Sequence, residues 1–300
     1  MLPLSARVFP AMAIHLLVAL IALGLLHAVP QLARWRNDRW FRRWIAQLAD
    51  TSGSGRIVLV LLPPLALCVL LEWLLGHNPL GGLAQLLFTL AMLMYCLGPR
   101  ELEADLEAVL SARDDAARTA AAQMLDDTGQ PVAWNASALA EATTYAALRR
   151  CFGVLLWFFL LGPAGALLYR LAQTLARDSS LRLDADSQRA ASYLANALDW
   201  LPAQLLTFTL AVVGHWEAVI SAWQRWHSQA APTSWYSSGP DFLGAAARAD
   251  IDVDVDAGDG YAEDHTDPQA ELARLRSALL RALLAWLGVI ALIVIGGWFA

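Results

Sequence analysis

Lysine is absent from the 300-residue sequence, so that all 21 basic residues are arginine. This absence excludes Schiff-base chemistry on lysine and a phosphate loop of the Walker type, in which a lysine contacts the phosphates. Charged residues are also scarce, at 16% of the chain against 58% hydrophobic residues, whereas about a quarter of a soluble domain is charged. The composition argues against a soluble enzyme and against a disordered chain.

Cysteine and histidine are few, and their spacing does not suggest chemistry. The three cysteines, Cys68, Cys96 and Cys151, lie in or beside apolar stretches without paired spacing, which argues against a disulfide framework and a zinc site. The six histidines show no metal-ligand spacing, and the motifs of serine hydrolases, zinc proteases and dinucleotide-binding proteins are missing. We therefore predict no cofactor, no bound metal and no catalytic residue.

Long apolar runs are what the sequence has instead. The first covers residues 12–29, whose 18 uncharged residues are about the minimum for crossing a bilayer. Further runs cover 57–75, 80–97, 203–220 and 279–299. The sequence thus predicts an all-α, polytopic integral membrane helical bundle with about five spans and one broken or re-entrant helix.

The broken helix is predicted at residues 151–175. Its first apolar half ends at Gly162 and is too short to cross alone, and Pro163 interrupts the pattern before it resumes. The segment is either one kinked span or two half-helices that enter the membrane and return. A broken helix is tolerated at membrane depth only where protein or a cavity covers its freed backbone groups, so the break suggests a site. Glu72, near the end of the second run, is either an interfacial residue or a functional intramembrane acid.

Arginine and tryptophan alternate after the first run. This pattern predicts an amphipathic helix at 31–49 that lies in the membrane interface, with its arginines near anionic lipid head groups. The positive-inside rule places this segment in the cytoplasm. A nucleic-acid partner is the less favoured alternative, because a short basic segment beside a span is usually a lipid contact.

The polar segments divide the chain into five predicted parts. In order, these are N-terminal spans at 1–98, a cytoplasmic helical hairpin at 99–150, the broken helix and fifth apolar run at 151–220, a soluble loop at 221–278 with an acidic segment at 250–267, and a C-terminal span at 279–300.

Three clusters of polar residues border the apolar helices, at 98–102, 169–175 and 196–204. Such groups either anchor helix ends at the interface or, if they share one membrane face, line a common polar cavity. Arginine in that cavity would suit a phosphate or carboxylate, because its guanidinium is a planar fork of donors. The predicted ligand-binding residues are Arg100, Glu101, Tyr169, Arg170, Gln173, Thr174, Asn196 and Asp199.

These motifs resemble the AmpE family, which are inner-membrane proteins associated with control of β-lactamase induction in Gram-negative bacteria. The likeness is most specific at 197–205 and at 213–217. The resemblance implies a multi-pass protein of the bacterial inner membrane that senses or passes on cell-wall or antibiotic stress through a non-catalytic pocket. The implied partners are an anionic ligand, such as a cell-wall fragment or nucleotide, and a regulatory protein.

The AmpE family is in turn similar to the CobD/CbiB adenosylcobinamide-phosphate synthases, membrane enzymes that join an aminopropanol unit to the corrinoid side chain. Residues 98–102 resemble their G-P-R-S-L motif, and residues 169–176 resemble Y-R-A-V-N-T-L-D. Their acidic E-x-x-A-E-N helix falls near Glu141, but Tyr145 stands where the second Glu is expected and Arg149 where an Asp follows.

The loss of those acids favours a chain that keeps the fold and an arginine-bearing pocket without synthase chemistry, and so a regulator more than an enzyme. Synthase-like amide-bond formation is the alternative. Transport of wall fragments is a third possibility, disfavoured because no inverted repeat is visible in the sequence.

Overall fold

A computed structural model describes residues 5–28, 38–48, 51–77, 81–98, 101–126, 129–257 and 267–296. These ranges hold α-helices and no strand, which confirms the predicted all-α membrane fold. The helices are α1 (Ser5–Ala28), α2 (Arg39–Gln47), α3 (Gly53–Gly76), α4 (Gly81–Cys96), α5 (Leu102–Ser111), α6 (Asp115–Leu125), α7 (Ala136–Ala147), α8 (Gly153–Arg177), α9 (Ala185–Val213), α10 (Trp216–Gln229), α11 (Ser234–Ser237), α12 (Asp241–Ala257) and α13 (Pro268–Gly296). A π-helical turn, Leu148–Phe152, joins α7 to α8.

Apolar composition explains which helices enter the bilayer. Helices α3 and α13 are long and apolar enough to cross it, and shorter apolar helices cover 12–26 and 82–96. Their apolar side chains are extensively exposed, with Leu62 of α3 at 59% and Ile295 of α13 at 82%. Such exposed apolar surface is stable in a bilayer because the acyl chains of the lipids cover it.

Helix α2 lies against the membrane helices with an amphipathic pattern. Phe41 and Ile45 are buried on one face, while Arg42 and Arg43 are exposed on the other. The Trp44 indole donates a hydrogen bond to the Val60 carbonyl of α3 at 3.1 Å, which fixes α2 to the bundle. Of the interfacial segment predicted at 31–49, residues 31–37 and 49 lie outside the described ranges.

The helical stretch from Ala136 to Arg177 has the length and composition to cross a membrane, but it reverses direction. Gly162 has φ of 68° and ψ of −157°, which is left-handed backbone that glycine adopts without steric cost. A β-carbon built on Gly153 would overlap the ring of Tyr169. In a straight helix, the 16 residues from Gly153 to Tyr169 would span about 24 Å, so the chain between them folds back on itself. Of the two predicted alternatives, the structure therefore has the half-helices that enter and return.

The tip of this α8 hairpin is covered by α1 and α3. A β-carbon on Gly162 would lie 3.5 Å from Cε1 of His15 and 3.6 Å from Oε1 of Glu72. The irregular backbone is thus buried in protein, as it must be at membrane depth. Glu72 accordingly lies beside the hairpin tip.

The apolar run predicted as a fifth span at 203–220 is not a single rod. Helix α9 ends at Val213, and the chain turns at Gly214 before α10 begins. The turn is held by α12, because the His215 amide donates to Oδ1 of Asp250 at 2.7 Å. These polar contacts replace the continuous helix that hydropathy alone predicts.

Residues 221–278, predicted as a soluble loop, are largely helical. They contain most of α10, all of α11 and α12, and the start of α13. The acidic segment at 250–267 begins within α12, and its residues 258–266 lie outside the described ranges. A second apolar core packs α12 against α7 and α9 through Phe242, Leu139 and Leu206, and it also includes Leu275 and Leu279 of α13.

Candidate functional site

A fully buried carboxylate, Asp199 of α9, holds the second arm of the α8 hairpin. Its Oδ1 accepts hydrogen bonds from the Tyr169 hydroxyl and the Gln173 amide, both at 2.6 Å. Its Oδ2 pairs with the Arg177 guanidinium at 2.9 Å. The three donors are spaced four residues apart and thus share one helix face. Both carboxylate oxygens are satisfied, as a buried charge requires.

The same network fixes the direction of Arg177. Its Nε donates to Oε1 of Gln173 at 2.7 Å, while its terminal nitrogen bonds Asp199. The side chain is only 16% exposed. Arg177 is thus held as a rigid donor group at the end of α8.

Arg170 points toward α2 and α4 from the neighbouring face. It pairs with Asp38 at 2.6 Å, and Asp38 also accepts a hydrogen bond from the Tyr95 hydroxyl at 3.0 Å. Thr174 donates back to the Arg170 carbonyl at 3.0 Å. These contacts connect the α8 hairpin to the interfacial helix.

Two adjacent polar cavities lie at this end of the hairpin. Their volumes are about 500 and 360 Å³, within the usual range for small-molecule sites. They share Asp126, Arg149 and Arg177 as lining residues. Arg149, which precedes the first arm, and Arg177, which ends the second, therefore border both cavities, and the two cavities together form an arginine-lined cleft.

The larger cavity has one wall from α7 and the π-helical turn. Glu141, Tyr145 and Arg149 follow each other at intervals of four residues and all line it. The Arg149 guanidinium lies over the Tyr145 ring at 4.9 Å, and the Tyr145 hydroxyl donates to the Pro240 carbonyl at 3.2 Å. Glu141 pairs with Arg248 of α12.

Asp241, at the start of α12, contributes a third carboxylate to the larger cavity, beside Asp126 and Glu141. Desolvation raises the pKa of this carboxyl above its ordinary value, and the negative charge of Glu141 raises it further. The positive charges of Arg248 and Arg149 oppose the shift. Asp241 therefore takes up a proton more readily than an ordinary aspartate.

The structure distributes the predicted ligand-binding residues over three places. Tyr169, Gln173 and Asp199 meet in one network. The residues that line the smaller cavity are Arg170, Gln173 and Thr174. Asn196 lines the larger one and donates to the Tyr236 carbonyl at 3.2 Å. Glu101 precedes α5 and is not among the described lining residues, and Arg100 lies outside the described ranges.

Several cavity residues were missed by the sequence analysis. Arg177 continues the four-residue spacing of Tyr169 and Gln173, so its helix period could have revealed it. Arg149 was read only as a departure from a family motif. Asp241 comes from the segment predicted to be a loop, and no local pattern singles it out.

Carboxylates are present in the cleft, in contrast to the prediction that they are lost. Asp126, Glu141 and Asp241 all line the larger cavity, although the acids that the resemblance expects at 145 and 149 are absent. Within the described ranges, no group of three or more His, Cys, Asp or Glu residues could hold a metal ion.

The helices that build this cleft fall within a matched family region. A family model described as CobD/Cbib protein matches residues 12–254, most of the chain. The chain belongs to the CobD/Cbib family. No solved structure matches it.

Two curated relatives carry the name "Cobalamin biosynthesis protein CobD". The protein of Chromobacterium violaceum is 29% identical over 220 residues, covering 70% of this chain and 66% of that protein. The protein of Stutzerimonas stutzeri is 29% identical over 246 residues, covering 76% and 78% respectively.

The expected AmpE-type regulator of β-lactamase induction is wrong. The matching family model and both relatives point to cobalamin biosynthesis, which agrees with the synthase alternative. The prediction was wrong because it rested on the resemblance of local motifs and on the acids missing from one helix, whereas the family model matches residues 12–254.

Proposed function

We propose that this CobD/Cbib-family chain is a membrane-bound, adenosylcobinamide-phosphate synthase-like enzyme that forms an amide bond between a corrinoid carboxylate and an aminopropanol unit. The observation that carries the proposal is the arginine-lined cleft, in which Arg149 and Arg177 border two adjoining polar cavities. The cobalamin-biosynthesis names of the relatives support it. Because α2 carries the arginine-rich interfacial segment at the same end, we place the cleft on the cytoplasmic side.

The chemistry of amide formation fits an arginine-lined cleft. A carboxylate and an amine do not condense spontaneously in water, so the carboxylate must first be activated, for which a nucleoside triphosphate is the usual class of donor. Transfer of its terminal phosphoryl group to a carboxylate oxygen releases the nucleoside diphosphate, and attack by the amine on the acyl carbon then releases that oxygen as inorganic phosphate. Guanidinium groups bind both carboxylate and phosphate oxygens through paired hydrogen bonds. Arg149 and Arg177 would hold such anionic groups side by side.

An amine nucleophile must also lose a proton, and Asp241 is the proposed acceptor. It lines the larger cavity with Arg149, and its raised pKa brings its basicity closer to neutral pH. A carboxylate with a raised pKa is a more effective general base than an ordinary one. The Asp199 network has an indirect role, because it positions Arg177.

Complementation tests the proposed activity. Expressed in a bacterial strain that lacks its own synthase, the chain should restore production of cobinamide and hence of cobalamin. Arg149→Gln should lower the rate of amide formation in isolated membranes about 10–100-fold, since a charge-assisted hydrogen bond contributes roughly 1.5–3 kcal/mol. The measurement is product formation by mass spectrometry, normalised to the amount of protein in the membrane.

Arg113→Gln is the matched control, because it removes the same charge from an exposed position that is not among the described lining residues. It should keep full activity. Absence of rescue by the unmodified chain would overturn the proposed function. Full activity of Arg149→Gln would show that the cleft is not the site of that function.

Asp241→Asn should separate catalysis from stability. Amide formation should fall about 100-fold, in line with loss of a general base, and the acidic limb of the pH profile should disappear. Stability should change in the opposite direction. A raised pKa means that the folded protein loses stability as pH rises through the shifted range, so the neutral amide should be at least as stable at pH 7. Thermal melts from pH 4 to 8 and the pH profile of the rate check both parts.

A further inference from the structure

An apolar cavity of about 670 Å³ lies between the interfacial helix and the membrane helices. Its walls come from α2, α3, α4 and the second arm of α8. They include Trp44, Pro64, Met92 and Leu167. It is separate from the arginine-lined cleft and plays no part in the proposed chemistry.

The cavity is open toward the lipid. Leu67 and Leu71, which line it, are 56% and 37% exposed. In a bilayer such an opening faces acyl chains. A polar group that entered the cavity would lose its hydration and leave polar atoms unpaired, whereas an apolar group would not.

The polar groups of the cavity are concentrated at the α2 end. Arg43 and Gln47 line it there beside the indole rings of Trp40 and Trp44. An apolar chamber with a cation and amphipathic rings at one end matches a molecule with an anionic head and an apolar tail.

The arginines of α2 differ in their partners. Arg42 pairs with Asp178 at 2.9 Å, and Arg39 also has a partner within the protein. Among the described residues, no carboxylate pairs with Arg43, which is exposed at the cavity. Its charge is thus available to an anion from outside the chain.

We propose that this cavity binds one anionic phospholipid, with an acyl chain between α3 and α4 and the phosphate at Arg43. Charge complementarity selects the anionic lipid, and the apolar walls select its tail. The cavity also adjoins the functional end of the protein, because its lining residue Tyr95 donates to Asp38, which pairs with Arg170 of the smaller polar cavity.

Lipid retention tests the proposal on the full-length protein. The purified protein is equilibrated in detergent with equal amounts of dioleoyl phosphatidylglycerol and dioleoyl phosphatidylcholine, and native mass spectrometry counts the lipids that remain bound. We expect one tightly held phosphatidylglycerol and at least a tenfold preference for it. Arg43→Gln should reduce that preference about tenfold, and Met92→Trp, which fills the chamber, should remove retention of both lipids.

Arg39→Gln is the matched control, since it removes the same charge from the same helix but is not among the described lining residues of the cavity. It should retain phosphatidylglycerol as the unmodified protein does. If Met92→Trp fails to fold, Leu67→Trp fills the chamber from its exposed side. Equal loss of phosphatidylglycerol in the Arg39 and Arg43 variants would show that the lipid is attracted only by the general positive charge of α2. Lipid retention by a folded variant with a filled chamber would show that the lipid binds elsewhere. Either result overturns the proposal.

Discussion

Gly165→Ala is expected to disrupt the α8 hairpin and to lower the free energy of unfolding by about 3 kcal/mol, the upper end of typical overpacking costs. A β-carbon at this position would overlap the carbonyl oxygen of Trp157 on the first arm, and it would also meet the Leu161 β-carbon at 2.6 Å. A backbone oxygen cannot rotate away as a flexible side chain can, so the two arms must separate. The thermal midpoint of the purified protein in detergent measures the effect.

Gly24→Ala and Gly288→Ala are matched controls in other apolar helices. Nothing lies within 4 Å of a β-carbon built at either position. Alanine loses less backbone entropy than glycine in a helix, so both variants should melt at the same temperature as the unmodified chain or slightly higher. A Gly165→Ala protein that melts with these controls would show that α8 is a continuous kinked span.

The hairpin also explains why this variant should lose activity. Arg149 precedes the first arm and Arg177 ends the second, and the two meet at the same cavities only because the chain reverses at Gly162. Separating the arms would move Arg177 away from Arg149 and weaken its bonds to Asp199. We expect amide formation to fall below detection.

Hydropathy predicted the fold class because apolar runs of spanning length have few alternatives to membrane helices. It did not decide between a kink and a reversal at 162–163, since both begin with the same glycine and proline signal. The positive φ of Gly162 decides, and it depends on packing of the two arms. The break at Gly214 was missed for a similar reason, because the contact that holds it comes from Asp250 on a later helix.

The site was predictable where its residues share one helix. Tyr169 and Gln173 lie on a periodic face, and they meet in the Asp199 network. Asp241 could not be anticipated, because it faces the same cavity as Arg149 from a distant segment of the chain. The mistaken regulatory prediction has the same origin: a motif compares positions within one helix, whereas the cleft combines α7, α8 and α12.

Asp105→Ala is the second variant with a large expected effect. Asp105 of α5 pairs with Arg150 at 2.7 Å, and their side chains are only 5% and 3% exposed. Arg150 also donates to the Met124 carbonyl at 2.9 Å, which joins α5, α6 and the π-helical turn beside the cleft. Removing the carboxylate takes the Asp105 charge away from a buried guanidinium, and breaking a buried pair in this way costs about 3–5 kcal/mol.

The exposed pair of Asp115 and Arg118 provides the comparison. Its nitrogen and oxygen lie 3.5 Å apart, and the Asp115 side chain is 99% exposed. Because water and salt screen such a pair, Asp115→Ala should leave the thermal midpoint unchanged. If Asp105→Ala and Asp115→Ala had the same thermal midpoint, burial would add nothing to the stability that the Asp105 pair contributes.

The double variant Asp105→Leu, Arg150→Met distinguishes the loss of a partner from the loss of the pair. Two apolar side chains of similar size leave no unpaired charge, and such replacements are often neutral or stabilising. We therefore expect the double variant to recover most of the stability lost in Asp105→Ala. Because Arg150 also lines the smaller polar cavity, the double variant is compared by its thermal midpoint alone. Failure to recover would mean that Arg150 is required at this position for its bonds to the α6 carbonyl, independently of Asp105.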